Sequence, residues 1–436
     1  MEGYDPNDIK YNYETLWKFI IRPPRDIYDE EMFGEPIFEY NNKLMIRHDF
    51  NLQSTKGYNL KCSFFEPDLE SRPSPVMPVV IYLHGNSSSR LEGLRMLHQL
   101  IKINVNLFVF DFAGSGLSEG DYISLGYHES HDLGVIIDFI SKYPGVGKIG
   151  LWGRSMGAAT TMIYAHKDEE RIKCIVMDSP FADFSKLAKE LVKKQINIPN
   201  FLIDGALKIV GSTIKNKNGM EINKLKPIEC ASKTNIPAMF IHAINDELIN
   251  IQHSKELIAK YKGKYIFEQV PNGGHNSVRP KTVIKKIMKF FIQYLVENNN
   301  NNINNNNNKI NENSNILFDN NLNDSTDYIT DNKKEEMQMN TMNSMFKNLN
   351  ENFINSIEKL NENQEFNFDI EKNNTKNNIN TNNNNNNNNK NTNNELYNEI
   401  NSINFDYNFL NNNNNTNNNS NFNINDKNIN NENYNK

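Results

Sequence analysis

The stretch that most limits what this chain can become is Ile149-Gly150-Leu151-Trp152-Gly153-Arg154-Ser155-Met156-Gly157-Ala158-Ala159-Thr160. A short apolar run enters Gly-x-Ser-x-Gly and leaves through small residues that can start a helix. A serine held on a sharp strand-to-helix turn brings the chain so close to itself that Gly153 and Gly157 can carry no side chain. The turn lifts the Ser155 hydroxyl above the edge of a sheet. It also aims the first backbone N–H groups of the helix at whatever the hydroxyl attacks. The five-residue pattern alone arises by chance in many chains. Here the strand before it, the helix after it and partners further along give it meaning.

The surrounding pattern supplies the sheet. Val79-Val80-Ile81-Tyr82-Leu83 is an unbroken apolar run, as expected of a strand covered on both faces. The spacing then predicts a helix over Leu91–Ile103, a strand over Val105–Phe110, a helix over Leu125–Lys142 and a strand over Lys148–Leu151. It continues with a helix over Met156–His166, strands over Ile172–Met177 and Ala238–Ile241, and a helix over Gln252–Tyr261. A strand over Tyr265–Val270 and a helix over Lys281–Val296 close the series. Such alternation predicts an α/β fold with a mostly parallel central sheet and helices on both faces, its chemistry at the carboxyl ends of the strands.

Ahead of this, Leu44–Leu52 and Tyr58–Phe65 flank Ser54-Thr55-Lys56-Gly57 as two antiparallel strands. Tyr11–Ile21 reads as an N-terminal helix, stopped by Arg22-Pro23-Pro24-Arg25 and packed on the domain. A second reading lays this aromatic segment on a membrane surface, a peripheral contact. The connection from Asp178 to Pro237, about 60 residues, is too long for a turn. Its helical patterns at Phe184–Ile196 and Phe201–Ile209 predict a helical lid with an apolar underside.

Composition bounds the rest. Beyond residue 297 the chain is filled with Asn tracts such as Asn382–Asn389 and Asn411–Asn415. Asn offers too little burial to offset ordering entropy, so the expectation is a disordered, low-complexity tail. One island, Met339–Leu360, has helical apolar spacing and could be a helix for a protein partner. The organisation expected is an N-terminal helical segment over 1–39, a catalytic domain over 40–297 with its lid at about 180–235, and the tail over 298–436. The formal net charge of −6, with no basic stripe, speaks against nucleic acid. Cys62, Cys174 and Cys230 are widely spaced and read as free thiols of a reducing compartment. No apolar run is long enough to cross a bilayer and the first residues do not resemble a signal peptide. The expectation is a cytoplasmic protein. No ligand cluster points to a metal or an organic cofactor.

A serine hydroxyl needs a base to take its proton, and the base needs an acid to orient it. Among nine histidines, His275 stands out in Val270-Pro271-Asn272-Gly273-Gly274-His275-Asn276, a glycine-rich loop just past the last strand. His242 lies at the end of a strand and reads as structural. His48, His98, His128, His131, His166 and His253 fall in the early sheet or on helices. The acid expected is Asp246, which follows the penultimate strand; Asp178 and Glu247 are its rivals. The order Ser155, Asp246, His275 suits a hydrolase of this layout. For the oxyanion, the Met156 N–H is one donor. The second is the Asn86 N–H, in the loop His84-Gly85-Asn86. His84 reads as a brace of that loop.

Taken together, His84-Gly85-Asn86, Asp111-Phe112-Ala113-Gly114-Ser115-Gly116-Leu117-Ser118, Gly153-Arg154-Ser155-Met156-Gly157, Asp246 and Gly273-Gly274-His275-Asn276 resemble the alpha/beta-hydrolase superfamily over residues 40–297. Within it the likeness is to the serine hydrolases that include protein depalmitoylases and lysophospholipase or monoacylglycerol-lipase-like enzymes. The resemblance implies Ser155 as nucleophile, His275 as base, Asp246 as acid, and Asn86 and Met156 at the oxyanion hole. Ser115 stands where His is frequent, and Ala243 where Gly is. Both bear on loop shape. The activity expected is cleavage of an acyl or lipid-like ester or thioester through an acyl-Ser155 intermediate. The alternatives are a peptidase of the prolyl-oligopeptidase-like branch and a non-catalytic scaffold using the tail.

Overall fold

Strands that are buried along their whole length form the middle of the sheet, and strands that alternate form its margin. In the computed structural model, which describes residues 13–168, 170–195 and 200–297, the margin comes first in the chain. After helix α1 (Tyr13–Ile21), β1 (Ile37–Tyr40), β2 (Lys43–Gln53) and β3 (Asn59–Pro67) run antiparallel to one another. β4 (Met77–Leu83) then opens the parallel part. It is followed by the short helices α2 (Leu91–Leu94) and α3 (Leu97–Lys102), then β5 (Asn106–Phe110), α4 (Glu129–Ile140), β6 (Val146–Arg154), α5 (Met156–Ala165) and β7 (Ile172–Asp178). The long connection holds α6 (Phe184–Gln195), α7 (Asn200–Asn218) and the short α8 (Ile228–Ala231). β8 (Ala238–Ala243), α9 (Gln252–Lys260), β9 (Tyr265–Val270) and α10 (Lys281–Phe291) complete the unit.

Among the described residues the strands form one nine-stranded sheet in the order β1-β2-β3-β5-β4-β6-β7-β8-β9. β3 meets β5 antiparallel, and every pair from β5 to β9 is parallel. The period of two along β4 divides the core. Val79, Ile81 and Leu83 face one cluster with α4, α5 and α9, while Val80 and Tyr82 face another with α3 and α10. The mostly parallel sheet covered on both faces is therefore as the alternation of patterns predicts.

Three details differ from the expectation. The helix expected over Leu91–Ile103 is broken at Arg95-Met96 into α2 and α3, which leaves Glu92 and Gly93 buried behind the loop after β4. Strand β1 has too few residues to show a period. α7 runs on to Asn218, past the apolar stretch that marks its start.

The N-terminal helix packs on the domain, the first of its two readings. Trp17 and Ile21 are buried in the same cluster as the central strands. The Trp17 ring meets Tyr122 edge-on at 6.2 Å, and the Lys217 ammonium of α7 lies 4.4 Å from its centroid. The segment beyond it is stitched down by polar groups. Arg25 donates to the carbonyls of Gly114, Ser118 and Gly120, and the Tyr28 hydroxyl donates to Asp111 at 2.6 Å. No helix among the described residues is long and apolar enough to cross a membrane. The Asn-rich tail and its island at 339–360 lie outside the described residues.

Candidate active site

The turn between β6 and α5 is as tight as its glycines demand. A Cβ on Gly153 would lie 2.3 Å from the Gly157 carbonyl oxygen, and one on Gly157 would lie 2.0 Å from that of Leu83. Between them Ser155 adopts φ +51° and ψ −112°, a left-handed backbone that costs a non-glycine residue on the order of 1–3 kcal/mol. The neighbouring strand helps to hold it there: the Ser155 N–H donates to the Asp178 carbonyl at 2.8 Å. Met156 is the first residue of α5, so its N–H has no carbonyl one turn back to bond.

His275 reaches this turn from the loop after β9. Its Nε2 lies 3.0 Å from Ser155 Oγ, and its Nδ1 donates to Asp246 Oδ2 at 2.8 Å. Asp246 and His275 are almost fully buried, while Ser155 is half-buried. The carboxylate is held from several directions. Its Oδ1 accepts the backbone N–H groups of Leu248 and Ile249 at 3.0 and 2.7 Å. Its Oδ2 is also 3.3 Å from His242 Nε2. Burial alone would push its pKa up. Attraction to His275 when its ring is protonated, together with the hydrogen bonds from His242 and His275, outweighs that and holds it well below the ordinary carboxylate range.

The two rival acids have other commitments. Asp178 takes the guanidinium of Arg279 on both oxygens, at 2.8 to 3.1 Å. Glu247 accepts the backbone N–H of His275 at 3.1 Å rather than its ring. His84 braces its loop: Nδ1 donates to the Gly85 carbonyl at 2.7 Å, and Nε2 accepts the Phe112 N–H at 3.2 Å. Leu83 is paired with Gly153 across β4 and β6, so the loop Gly85–Asn86 emerges beside the serine turn. Asn86 is exposed on that loop. Of the remaining histidines, His253 accepts the Ala182 N–H and faces Glu190, and His128 bonds the Asn218 carbonyl; neither meets Ser155.

Four side chains around these residues were not singled out by sequence reasoning. Arg279 donates to the carbonyls of Gly274, His275 and Ser277 besides its pair with Asp178. Arg154 bridges Glu92 and Asn276. The one signal available, for two of them, was a charge in an otherwise apolar setting: Glu92 in an apolar helical run, Arg154 between a buried strand and Ser155. Among the described residues no group of three or more His, Cys, Asp or Glu is placed to hold a metal ion. The long connection is tied beside Asp246, where Lys194 of α6 donates to the Glu247 carbonyl at 2.7 Å.

Residues 78–226 match the family model described as alpha/beta hydrolase fold. The chain is 25% identical over 244 residues to the uncharacterized protein YqkD of Bacillus subtilis, covering 56% of this chain and 77% of that protein. It is 27% identical over 192 residues to the lysophosphatidylserine lipase ABHD12 of Xenopus tropicalis, covering 41% and 46%. Among solved structures, the Pyrococcus furiosus esterase Pf2001 is similar at 22% identity and a TM-score of 0.48, covering 63% of this chain and 98% of that one.

Proposed function

Since the chain belongs to the alpha/beta-hydrolase superfamily, we propose that it is a serine hydrolase that cleaves a carboxylic ester or thioester of acyl or lipid-like type through an acyl-Ser155 intermediate. The observation that carries this reading is the unbroken hydrogen-bond chain from Asp246 through His275 to Ser155, with links of 2.8 and 3.0 Å. Asp246 fixes the tautomer in which Nδ1 carries hydrogen, so Nε2 presents its lone pair to the hydroxyl. Nε2 takes the hydroxyl proton as Ser155 Oγ bonds to the carbonyl carbon. The negative charge on the former carbonyl oxygen is met by the Met156 and Asn86 N–H groups. Each such donor is typically worth about 10²–10³ in turnover.

Collapse of the tetrahedral intermediate breaks the bond to the leaving group, which receives the proton from His275. Water then repeats the sequence: His275 takes its proton, hydroxide adds to the acyl carbon, and Ser155 leaves with that proton restored. The acyl preference rests on the long helical connection, read as a lid, and on the lipase named among the relatives.

The test is a fluorophosphonate probe on the purified full chain, with hydrolysis of p-nitrophenyl esters and acyl thioesters of increasing chain length. Wild type is expected to be labelled and to turn over the longer acyl chains, and Ser155→Ala to do neither. Equal behaviour of the two proteins, or a preference for aminoacyl amides, would overturn the reading.

A further inference from the structure

His275 comes from far along the sheet. Its loop follows β9, and in the order β6-β7-β8-β9 that strand lies three places from the one leading to Ser155. At about 4.8 Å per strand, the loop has to reach back roughly 14 Å over the ends of β7 and β8. A glycine-rich loop has no ladder of its own to fix it over that span. Side chains from the strand ends it crosses do so instead.

Each strand end contributes a grip. The connection after β8 offers Asp246 to the imidazole and Glu247 to the His275 N–H. β7 ends on Asp178, which anchors Arg279, and Arg279 holds three carbonyls of the loop. β6 ends on Arg154, whose Nη2 donates to Asn276 Oδ1 at 2.6 Å. Arg154 is itself held from the opposite side, where Nη1 donates to Glu92 Oε1 at 2.9 Å. The other oxygen of Glu92 accepts the Gly85 N–H at 2.9 Å, and Oε1 also accepts the Tyr82 hydroxyl at 2.9 Å.

We propose that Glu92, Arg154 and Asn276 are positioning residues: an ionic bridge across Ser155 that sets the His275 loop on one side against the Gly85–Asn86 loop on the other. The proposal rests on the reading of Ser155 as nucleophile and His275 as base. A guanidinium suits the task because its planar fork fixes the angle between its two partners, so neither loop shifts without the other. Burial pushes the Glu92 carboxyl up, but the Arg154 charge and the Gly85 N–H offset this and hold it at about 2. The bridge is thus ionised at any working pH.

The test removes the last link and then restores it, in the full chain. Asn276→Leu keeps the volume and loses the acceptor, whereas Asn276→Asp keeps an oxygen for Arg154. With a p-nitrophenyl acyl ester, Asn276→Leu should lower kcat roughly 10–100-fold, as expected of a misplaced base. KM should stay within about twofold, because no part of the bridge grips the acyl group. Asn276→Asp should recover most of the loss. The double variant Arg154→Met/Asn276→Leu should be no slower than Arg154→Met alone, since both break one bridge. Wild-type kcat in Asn276→Leu, no recovery in Asn276→Asp, or losses that multiply in the double variant would each overturn the proposal. Turnover by wild type that does not depend on Ser155 would instead overturn the reading beneath it.

Discussion

β7 and β8 lie side by side, one ending on a buried aspartate and the other followed by one at the same end of the sheet, yet Asp178 and Asp246 have opposite surroundings. Asp178 gives both oxygens to Arg279, a side chain with no proton to exchange. Asp246 gives one oxygen to backbone N–H groups and the other to imidazoles. One carboxylate is closed off in an ion pair that shapes a loop. The other faces a ring whose charge can change during a reaction. Strand-end address and residue type are the same for both, so the partner alone decides the role.

The largest expected effect tests that directly. In Asp246→Asn the amide would meet His275 Nδ1–H with a donor, or turn the ring to its other tautomer and put a hydrogen between Nε2 and Ser155. Loss of kcat should be roughly 10³–10⁴-fold with the fold retained, checked by steady-state kinetics and circular dichroism. Should Asp178→Asn cost more in kcat than Asp246→Asn, the assignment of the acid is wrong. The expected damage at Asp178 is of another kind. Asp178→Asn leaves the Arg279 guanidinium buried without its anion, a loss of about 3–5 kcal/mol in urea unfolding. Its fall in kcat should be far smaller than that of Asp246→Asn.

The same contrast explains what could be read from the sequence. Strands β4 to β8 announce themselves because burial on both faces leaves continuous apolar runs, and β9, on the exposed edge of the sheet, is legible from its place after α9. Ser155, Asp246 and His275 are legible because each follows a strand of the parallel sheet and carries a group that a hydrolytic reaction needs. Arg279, Arg154, Glu92 and Asn276 were illegible for a physical reason. Their roles come from pairing across distant loops, as between Glu92 and Arg154 or Asp178 and Arg279, and no local spacing encodes a contact of that range. The break of one expected helix into α2 and α3, with Glu92 buried on α2, belongs with them.

A third buried aspartate sharpens the comparison: among the described residues its hydrogen bond is to a backbone N–H, that of Ala113, rather than to a guanidinium or an imidazole. Burial raises the carboxyl of Asp132, on α4, to about 7, and Glu129 adds to this against the Ala113 N–H and the Lys56 charge. Between the unfolded value of 3.8 and about 7, the folded protein holds a proton that the unfolded chain has lost. Stability from this group is therefore complete below about 4 and declines as pH rises through 7. Asp246 has the opposite sign, its contribution being present above the unfolded value and lost as pH falls. Asp132→Asn keeps an acceptor for the Ala113 N–H and does not titrate. Its advantage over wild type in urea unfolding should grow by on the order of 1–3 kcal/mol from pH 5 to pH 8. An advantage that shrinks over that range would mean that Asp132 is ionised in the folded protein.

The smallest effect expected is at His242, and it decides whether Asp246 serves one imidazole or two. His242 Nε2 faces two acceptors, the Ile249 carbonyl at 2.8 Å and Asp246 Oδ2 at 3.3 Å, so that nitrogen carries hydrogen. Its Nδ1 meets the Ser254 hydroxyl at 2.7 Å, which ties the ring to α9. The shorter of the two Nε2 contacts goes to the carbonyl, and the acid receives the longer. Replacing His242 by Phe should then remove a weak donor from Asp246 while His275 keeps its own bond at 2.8 Å. A lost hydrogen bond of about 1 kcal/mol corresponds to about fivefold in kcat. A loss approaching that of Asp246→Asn would mean that the carboxylate is held in place by both rings together, and that the contrast with Asp178 lies in a three-membered unit rather than in a single pair.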